Sequence, residues 1–305
     1  MRMLMMGLGK MGANMARRLC RGGIEVVGYN RSPQIVNRLV AEEGLIPAGS
    51  LSEAVEKLTA PRVVWLMLPA GEATEQTIHD LIPLLEEGDV VVDGGNSNYH
   101  QSERRGKLLA DHGIGFMDAG TSGGVWGLAN GYCLMVGGEA GVVELVAPAL
   151  KVLAPAPDCG WAHVGPIGAG HFTKMVHNGI EYGMMQAYAE GFEIMEASRF
   201  GPELDFGAIA HLWNQGSVVR SWLLELAEEA FHKNARIDDL SGHVDDSGEG
   251  RWTVQQALET GVPAEVITLS LMRRFRSRQK DPFAERVLSA LRREFGGHAV
   301  VKSGK

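Results

Sequence analysis

With 305 residues, 45% hydrophobic and 22% charged, the chain is long enough for two domains and has the balance of an ordinary globular protein. Its net charge of −8 argues against nucleic acid as the main partner, and no apolar run reaches the roughly 20 residues that cross a bilayer, so no membrane partner is expected. Cys20, Cys133 and Cys159 form no C-x-x-C pair and read as free thiols of a cytoplasmic protein.

The opening Met1–Met6 is too short an apolar run for a signal peptide. Apolar runs at Arg2–Met6, Glu25–Tyr29, Val63–Leu68, Val90–Asp93, Gly115–Asp118 and Cys133–Val136 predict strands. Helical patterns lie near 10–22, 33–43, 51–59, 72–86, 99–112 and 140–152. This alternation predicts an α/β fold, a Rossmann-type doubly wound parallel sheet over residues 1–165. Ala154–Gly160 reads as a connector. Residues 166–305 predict an all-helical domain, with helices near 167–198, 205–215, 219–232, 263–279 and 283–295. The polar stretch Asp238–Gly250 reads as a loop.

Gly7-Leu8-Gly9-Lys10-Met11-Gly12 follows the first strand and opens a helix. In that position the G-x-G-x-x-G pattern predicts a dinucleotide site: the glycines permit a tight turn and close approach of a pyrophosphate to the helix N-terminus. The second strand ends at Asn30-Arg31-Ser32, where an NAD site usually has an acidic residue. Arginine beside a hydroxyl suits a 2′-phosphate, which favours NADP over NAD. The same Ser32, followed by Pro33, also fits a plain helix N-cap. Leu68-Pro69-Ala70 and Asp93-Gly94-Gly95-Asn96-Ser97 follow later strands, at the carboxyl ends where ligands bind in open α/β sheets, although Asn96 also suits a helix cap. Thr121-Ser122-Gly123-Gly124 follows another strand, where backbone N–H groups can hold substrate oxygens.

The segment His171–Gly183 reads as helix with Phe172, Met175, Val176 and Ile180 on one side and Lys174, His177, Asn178 and Glu181 on the other. Lys174 and Glu181 stand about 10.5 Å apart along the axis. A base, an acid and two hydrogen-bonding groups in one row can run a multi-step proton transfer. Such a face is more often a solvated surface, but Gly170, Gly179 and Gly183 argue for close approach of a backbone or ligand. Further on, Arg273, Arg274, Arg276, Arg278 and Lys280 form the densest basic run. No metal-ligand spacing occurs among the ten histidines.

These motifs together resemble 6-phosphogluconate dehydrogenase, in its short bacterial form, over nearly the whole chain. GLGKMG, NRS, DGGNS, SGG and GHFTKMVHNGIEYG fall in family order, GEGRWT at 248–253 resembles the family's G-T-G-K-W-T loop, and Arg292–His298 resembles its R-x-x-F-G-A-H tail. The resemblance implies oxidative decarboxylation of 6-phospho-D-gluconate to D-ribulose 5-phosphate and CO2, with NADP or NAD reduced. Lys174 would be the base and Glu181 the acid. Asn96, Ser122, Gly123, Gly124, His177, Asn178 and Tyr182 would hold the sugar acid. Arg274, Arg292 and His298 would bind its phosphate, with Ser247 or Arg251 contributing. It also implies a homodimer or homotetramer whose C-terminal tail reaches the neighbouring site.

The chain departs from the pattern in lacking the large helical domain of long members, and in Ser247, Arg251 and Asn30, where the family often has Lys, Lys and, in short members, an acidic residue. The nearest rival is another β-hydroxyacid dehydrogenase, of the 3-hydroxyisobutyrate or tartronate semialdehyde type. It would share the glycine loop and the Lys/Asn pair but not Glu181 or the Arg–His tail. A non-catalytic nucleotide-sensing protein on the same fold is the reading from a different class.

Overall fold

The computed structural model describes residues 1–297, together with 299 and 301. The chain divides into two compact units, Met1–Asn178 and Gly179–Lys305.

The first unit runs β1 (Arg2–Met6), α1 (Lys10–Arg21), β2 (Glu25–Tyr29), α2 (Pro33–Glu43), β3 (Ile46–Pro47), α3 (Leu51–Glu56), β4 (Val63–Leu66), α4 (Glu72–Leu81), β5 (Val90–Asp93), α5 (Tyr99–Ala110), β6 (Gly115–Ser122), α6 (Gly127–Asn130), β7 (Cys133–Gly138), α7 (Ala140–Leu153), β8 (Trp161–Gly165) and the start of α8 (Ala169–Ala197). The strands form one eight-stranded sheet in the order β3-β2-β1-β4-β5-β6-β7-β8. β4 (VVWL) and β5 (VVVD) are buried throughout. That continuous apolar character is what a strand covered on both faces requires. Met15, Leu19, Leu39, Val146 and Leu150 fill one face, and Ile78, Leu81 and Leu109 the other. The chain switches sides where β1 lies between β2 and β4, the crevice in which such folds bind nucleotides.

The sheet is parallel as expected except at one pair. β7 pairs antiparallel with β6, from Met117↔Gly138 to Ser122↔Cys133. Only the short segment 123–132, carrying one helical turn, joins them. A parallel return needs a crossover of a dozen or more residues. β6 is also longer than predicted: Thr121 and Ser122 belong to the strand, and only Gly123 (φ +133°) and Gly124 (φ +53°) form the turn after it. The two unpredicted strands, β3 and β8, close the sheet at its edges. Short edge strands limit unwanted pairing with other chains.

The second unit continues α8 and adds α9 (Phe206–Asn214), α10 (Trp222–Lys233), α11 (Glu249–Thr260), α12 (Glu265–Ser277) and α13 (Phe283–Gly296). Its core is a small aromatic cluster of Phe192, Phe206 and Phe231 around Ala210 and Leu224. Asp205 caps α9 by accepting from the Ala208 N–H, and Ser221 caps α10 by accepting from the Leu224 N–H. No strand occurs in this unit among the described residues. GEGRWT is not a loop: Gly248 (φ +107°) is the N-cap and the motif opens α11. Gly250 is required there, because a Cβ would meet the Tyr182 ring at 2.5 Å. No described helix is long and apolar enough to cross a membrane.

Candidate active site

The first unit contains a cavity of about 760 Å³ lined by Gly7, Gly9, Lys10, Met11 and Gly12, by Asn30 and Arg31, by Leu68, Pro69 and Ala70, and by Asn96. The three glycines play separate parts. Gly7 (φ +88°) lies against the Met67 carbonyl, Gly12 leaves no room between itself and the Gly7 carbonyl, and Gly9, at the N-cap of α1, faces open space. An open concavity at a helix N-terminus fits a pyrophosphate, so these residues fit a dinucleotide. Leu8 differs from the rest of its motif. Its side chain is buried in the core and its N–H donates to Asn30 Oδ1 at 3.0 Å. Asn30 Nδ2 in turn donates to the Ser32 carbonyl at 3.2 Å. Asn30 is therefore a brace between the glycine loop and the 30–32 turn. Ser32 occupies the N-cap of α2 without a side-chain capping bond, and lines a second pocket with Lys10, Arg17 and Arg38.

Asn96 is not a helix cap; Asn98 fills that role for α5, accepting from the His100 N–H at 3.0 Å. The turn that carries Asn96 is held from below. Asp93 Oδ1 accepts from the Gly95 N–H, and Asp93 Oδ2 accepts from Ser97 Oγ at 2.8 Å and from Arg105 Nη1 at 2.7 Å. The buried Arg105 guanidinium also donates to Glu75 Oε1 at 3.0 Å. Glu75 lies on α4, which follows Leu68–Ala70, so one arginine ties two walls of the cavity together. The sequence offered a signal for this network in a carboxylate ending an apolar strand, but none for its arginine.

α8 starts in the first unit. Asp118, at the middle of β6, caps its N-terminus: Oδ1 accepts from the Gly168 N–H and Oδ2 from the His171 N–H, both at 2.7 Å. Burial pushes the Asp118 carboxyl above its usual range, against the lowering effect of His171 and of these two backbone donors. His171 is buried, with Nδ1 2.7 Å from Ser102 Oγ. The helix then lies directly on the sheet, because a Cβ on Gly170 would be 2.5 Å from the Met135 carbonyl, and one on Gly120 would overlap Lys174. As a result Lys174 is only 6% exposed and Asn178 8%. Lys174 Nζ donates to Asn178 Oδ1 at 2.5 Å and lies 3.4 Å from His177 Nδ1. The polar row is thus the packed side of this stretch. Of the apolar residues on the other side, Phe172 and Ile180 are exposed, whereas Met175 is buried. Ser122 lies across from Cys133 in the β6–β7 ladder, on the strand that packs against Lys174 through Gly120.

The same helix carries Glu181 and Tyr182 into the second unit. Tyr182 is buried, its hydroxyl accepts from the Ser247 N–H at 3.3 Å, and the Arg274 guanidinium stacks 3.5 Å above its ring. Arg251 turns to Asp246, with Nε and Nη2 at 2.7 and 3.0 Å from the two carboxylate oxygens. Arg292 is exposed on α13, and no hydrogen bond or ion pair joins it to the Tyr182–Arg274 pair among the described residues. His298 lies outside the described residues.

Comparison with known proteins bears on this geometry. The profile described as "NAD binding domain of 6-phosphogluconate dehydrogenase" matches residues 2–165, and that of the "6-phosphogluconate dehydrogenase, C-terminal domain" matches residues 170–298. The chain is 44% identical over 302 residues to Bacillus subtilis (strain 168) YqeC, covering 99% of this chain and 100% of that one. It is 43% identical over 303 residues to the NAD(+)-dependent, decarboxylating 6-phosphogluconate dehydrogenase of Haloferax volcanii, covering 99% of each. Among solved structures, Plasmodium falciparum 6-phosphogluconate dehydrogenase, studied alone, with its cofactor NADP+ and with its substrate 6-phosphogluconate, matches with a TM-score of 0.84. The identity is 26%, over 99% of this chain and 66% of that one. Profiles of the family cover residues 2–165 and 170–298, and a relative 43% identical covers 99% of the chain: this chain belongs to the 6-phosphogluconate dehydrogenase family.

Proposed function

We propose that the chain oxidises and decarboxylates 6-phospho-D-gluconate to D-ribulose 5-phosphate and CO2, with residues 1–165 holding a nicotinamide dinucleotide and residues 166–305 serving the substrate and the oligomer. The observation that carries this reading is Lys174: an amine buried against the sheet, bonded to Asn178, on the helix that presents Glu181 two turns later. When bound, the cofactor accepts hydride from the substrate carbon. Lys174 takes the proton from the substrate's 3-hydroxyl and, once protonated, stabilises the ketone oxygen while the carboxylate leaves as CO2. Glu181 then delivers a proton to C1. Asn96, Ser122, Gly123, Gly124, His177, Asn178 and Tyr182 hold the sugar acid, and Arg274, stacked on Tyr182, serves its phosphate end with Arg292 and His298. The decarboxylating relative from Haloferax supports the reaction, and the complexes of the Plasmodium enzyme support the substrate.

NADP is the favoured cofactor on the strength of Arg31 at the cavity, with NAD the alternative. The chain works as a homodimer or homotetramer: α13 buries no residue, leaving Leu291 59% and Phe295 95% exposed. An apolar helix face of that kind suits a second copy, with the tail entering the neighbouring site. The three free thiols suit the cytoplasm.

The test is reduction of NADP and NAD by the chain with 6-phosphogluconate, with released CO2 measured in the same reaction. Turnover with stoichiometric CO2 is expected, and Arg31→Ala should weaken NADP about tenfold more than NAD. Activity confined to unphosphorylated hydroxy acids without CO2 release would instead select the 3-hydroxyisobutyrate type of enzyme.

A further inference from the structure

Three arginines converge on the irregular segment before α11, and they do different things. Arg274 donates from Nη1 to the Asp245 carbonyl at 2.8 Å while its guanidinium covers Tyr182. Arg251 spends its fork on Asp246, and Arg278 Nη2 reaches the same carboxylate at 3.0 Å. Arg251 and Arg278 both lie over the ring of Phe275, at 4.5 and 5.2 Å. The Asp246 side chain is almost fully buried between them. On its other side, Val244 is fastened to α12 by its N–H, which donates to Ser277 Oγ at 3.0 Å.

The two-pronged face of Arg251 is the part that would grip a phosphate, and here a carboxylate of this chain holds it. We infer that Asp246 is a positioning residue: by clasping Arg251 and Arg278 it fixes the 244–247 segment, so that Arg274 and Ser247 meet Tyr182, and Arg251 serves the loop rather than the substrate. This inference rests on the proposed phosphate role of the Tyr182–Arg274 pair. It assigns to Asp246, which carries no expected role, the task of ordering that pair, and removes Arg251 from the substrate's own ligands.

The experiment is a double-mutant cycle on the full chain, measuring kcat and KM for 6-phosphogluconate and KM for NADP. Asp246→Asn should raise the sugar-phosphate KM about tenfold while kcat and the cofactor KM hold, because the effect is on ground-state binding. Arg251→Gln should raise it about threefold, and the double variant should be no worse than Asp246→Asn alone, as for two members of one contact. If the two losses multiply, Arg251 touches the phosphate directly and the inference is overturned. Arg278→Gln opens the same clasp from the other side and should reproduce the KM effect, which guards against a folding defect particular to position 246. Amide hydrogen exchange over residues 243–248 gives a readout independent of catalysis. It should quicken in Asp246→Asn even if 6-phosphogluconate proves not to be the substrate; unchanged exchange would overturn the clasp whatever the substrate.

Discussion

Asp93 with Arg105 in the first unit and Asp246 with Arg251 in the second are the same chemical pair set at different depths. Arg105 is 0% exposed and Arg251 54%. The first pair sits under the Asn96 turn, within a sheet whose two faces are closed by the chain itself. The second pins an irregular segment in a unit whose core is one aromatic cluster. The difference separates two ways of holding a site loop. A buried pair must be complete before the fold is stable, since removing one partner strands a charge and costs about 3–5 kcal/mol. In the second pair the carboxylate is buried but the Arg251 guanidinium is open to solvent, which screens the pair toward the range of exposed ion pairs, about 0–1 kcal/mol, so it acts mainly on geometry. The cavity at the glycine loop is therefore prepared by folding, whereas the segment beside Tyr182 and Arg274 is arranged by contacts that can be altered without unfolding the chain.

Three substitutions test that contrast. The largest effect is expected at the buried end of α8. Lys174→Met should lower kcat about a thousandfold while leaving NADP affinity, measured by fluorescence titration, unchanged; a loss of nucleotide binding would mean that the lysine supports the cavity instead of the chemistry. Next, Arg105→Met should lower the unfolding free energy by about 3–5 kcal/mol in urea denaturation, against less than about 1 kcal/mol for Arg251→Gln. Equal losses would erase the distinction of depth.

The smallest effect concerns pH. Burial raises the Asp118 carboxyl above its ordinary 3.8. Its stabilising contribution is thus complete below that value and is lost as the pH climbs through the raised one. Asp246 behaves oppositely: hydrogen bonding by Arg251 lowers its carboxyl, so its contribution is present above 3.8 and is lost as acid protonates it. Asp118→Asn should flatten the fall in stability on the rising side of 3.8, and Asp246→Asn the fall on the acid side. If neither slope changes in thermal melts across that range, the two carboxylates do not differ in the way described.

Much of this was legible in the residues. The glycine loop could be read because each glycine answers a steric demand that no other residue meets, and the Lys174–Glu181 row could be read from helical spacing. The direction of β7 could not, because alternation of buried and exposed residues is the same for parallel and antiparallel strands; only the shortness of 123–132 hinted at it. α11 was hidden by Gly248 and Gly250, which look like loop residues, although one starts the helix and the other makes room for Tyr182. That the polar side of α8 meets a close neighbour could be read from its glycines, but not that the neighbour is the sheet itself. The choice is made by Gly120 and Gly170, which allow a lysine and an asparagine to lie where apolar residues usually do. The partners of Asn30, Asp118 and Asp246 in these contacts lie from 5 to 53 residues away, and no local pattern encodes them.

The missing side chain at Gly120 has a consequence for how this fold can vary. The depth at which the amine of Lys174 sits is set by the distance between a strand and a helix that touch with no atom to spare. Adding even one methyl there must tilt or lift the helix. Such a change would move Lys174 and the hydrogen bond it makes with Asn178. One vacancy in the sheet thus works as a ruler for a buried amine, and drift at that position would displace the lysine without replacing it.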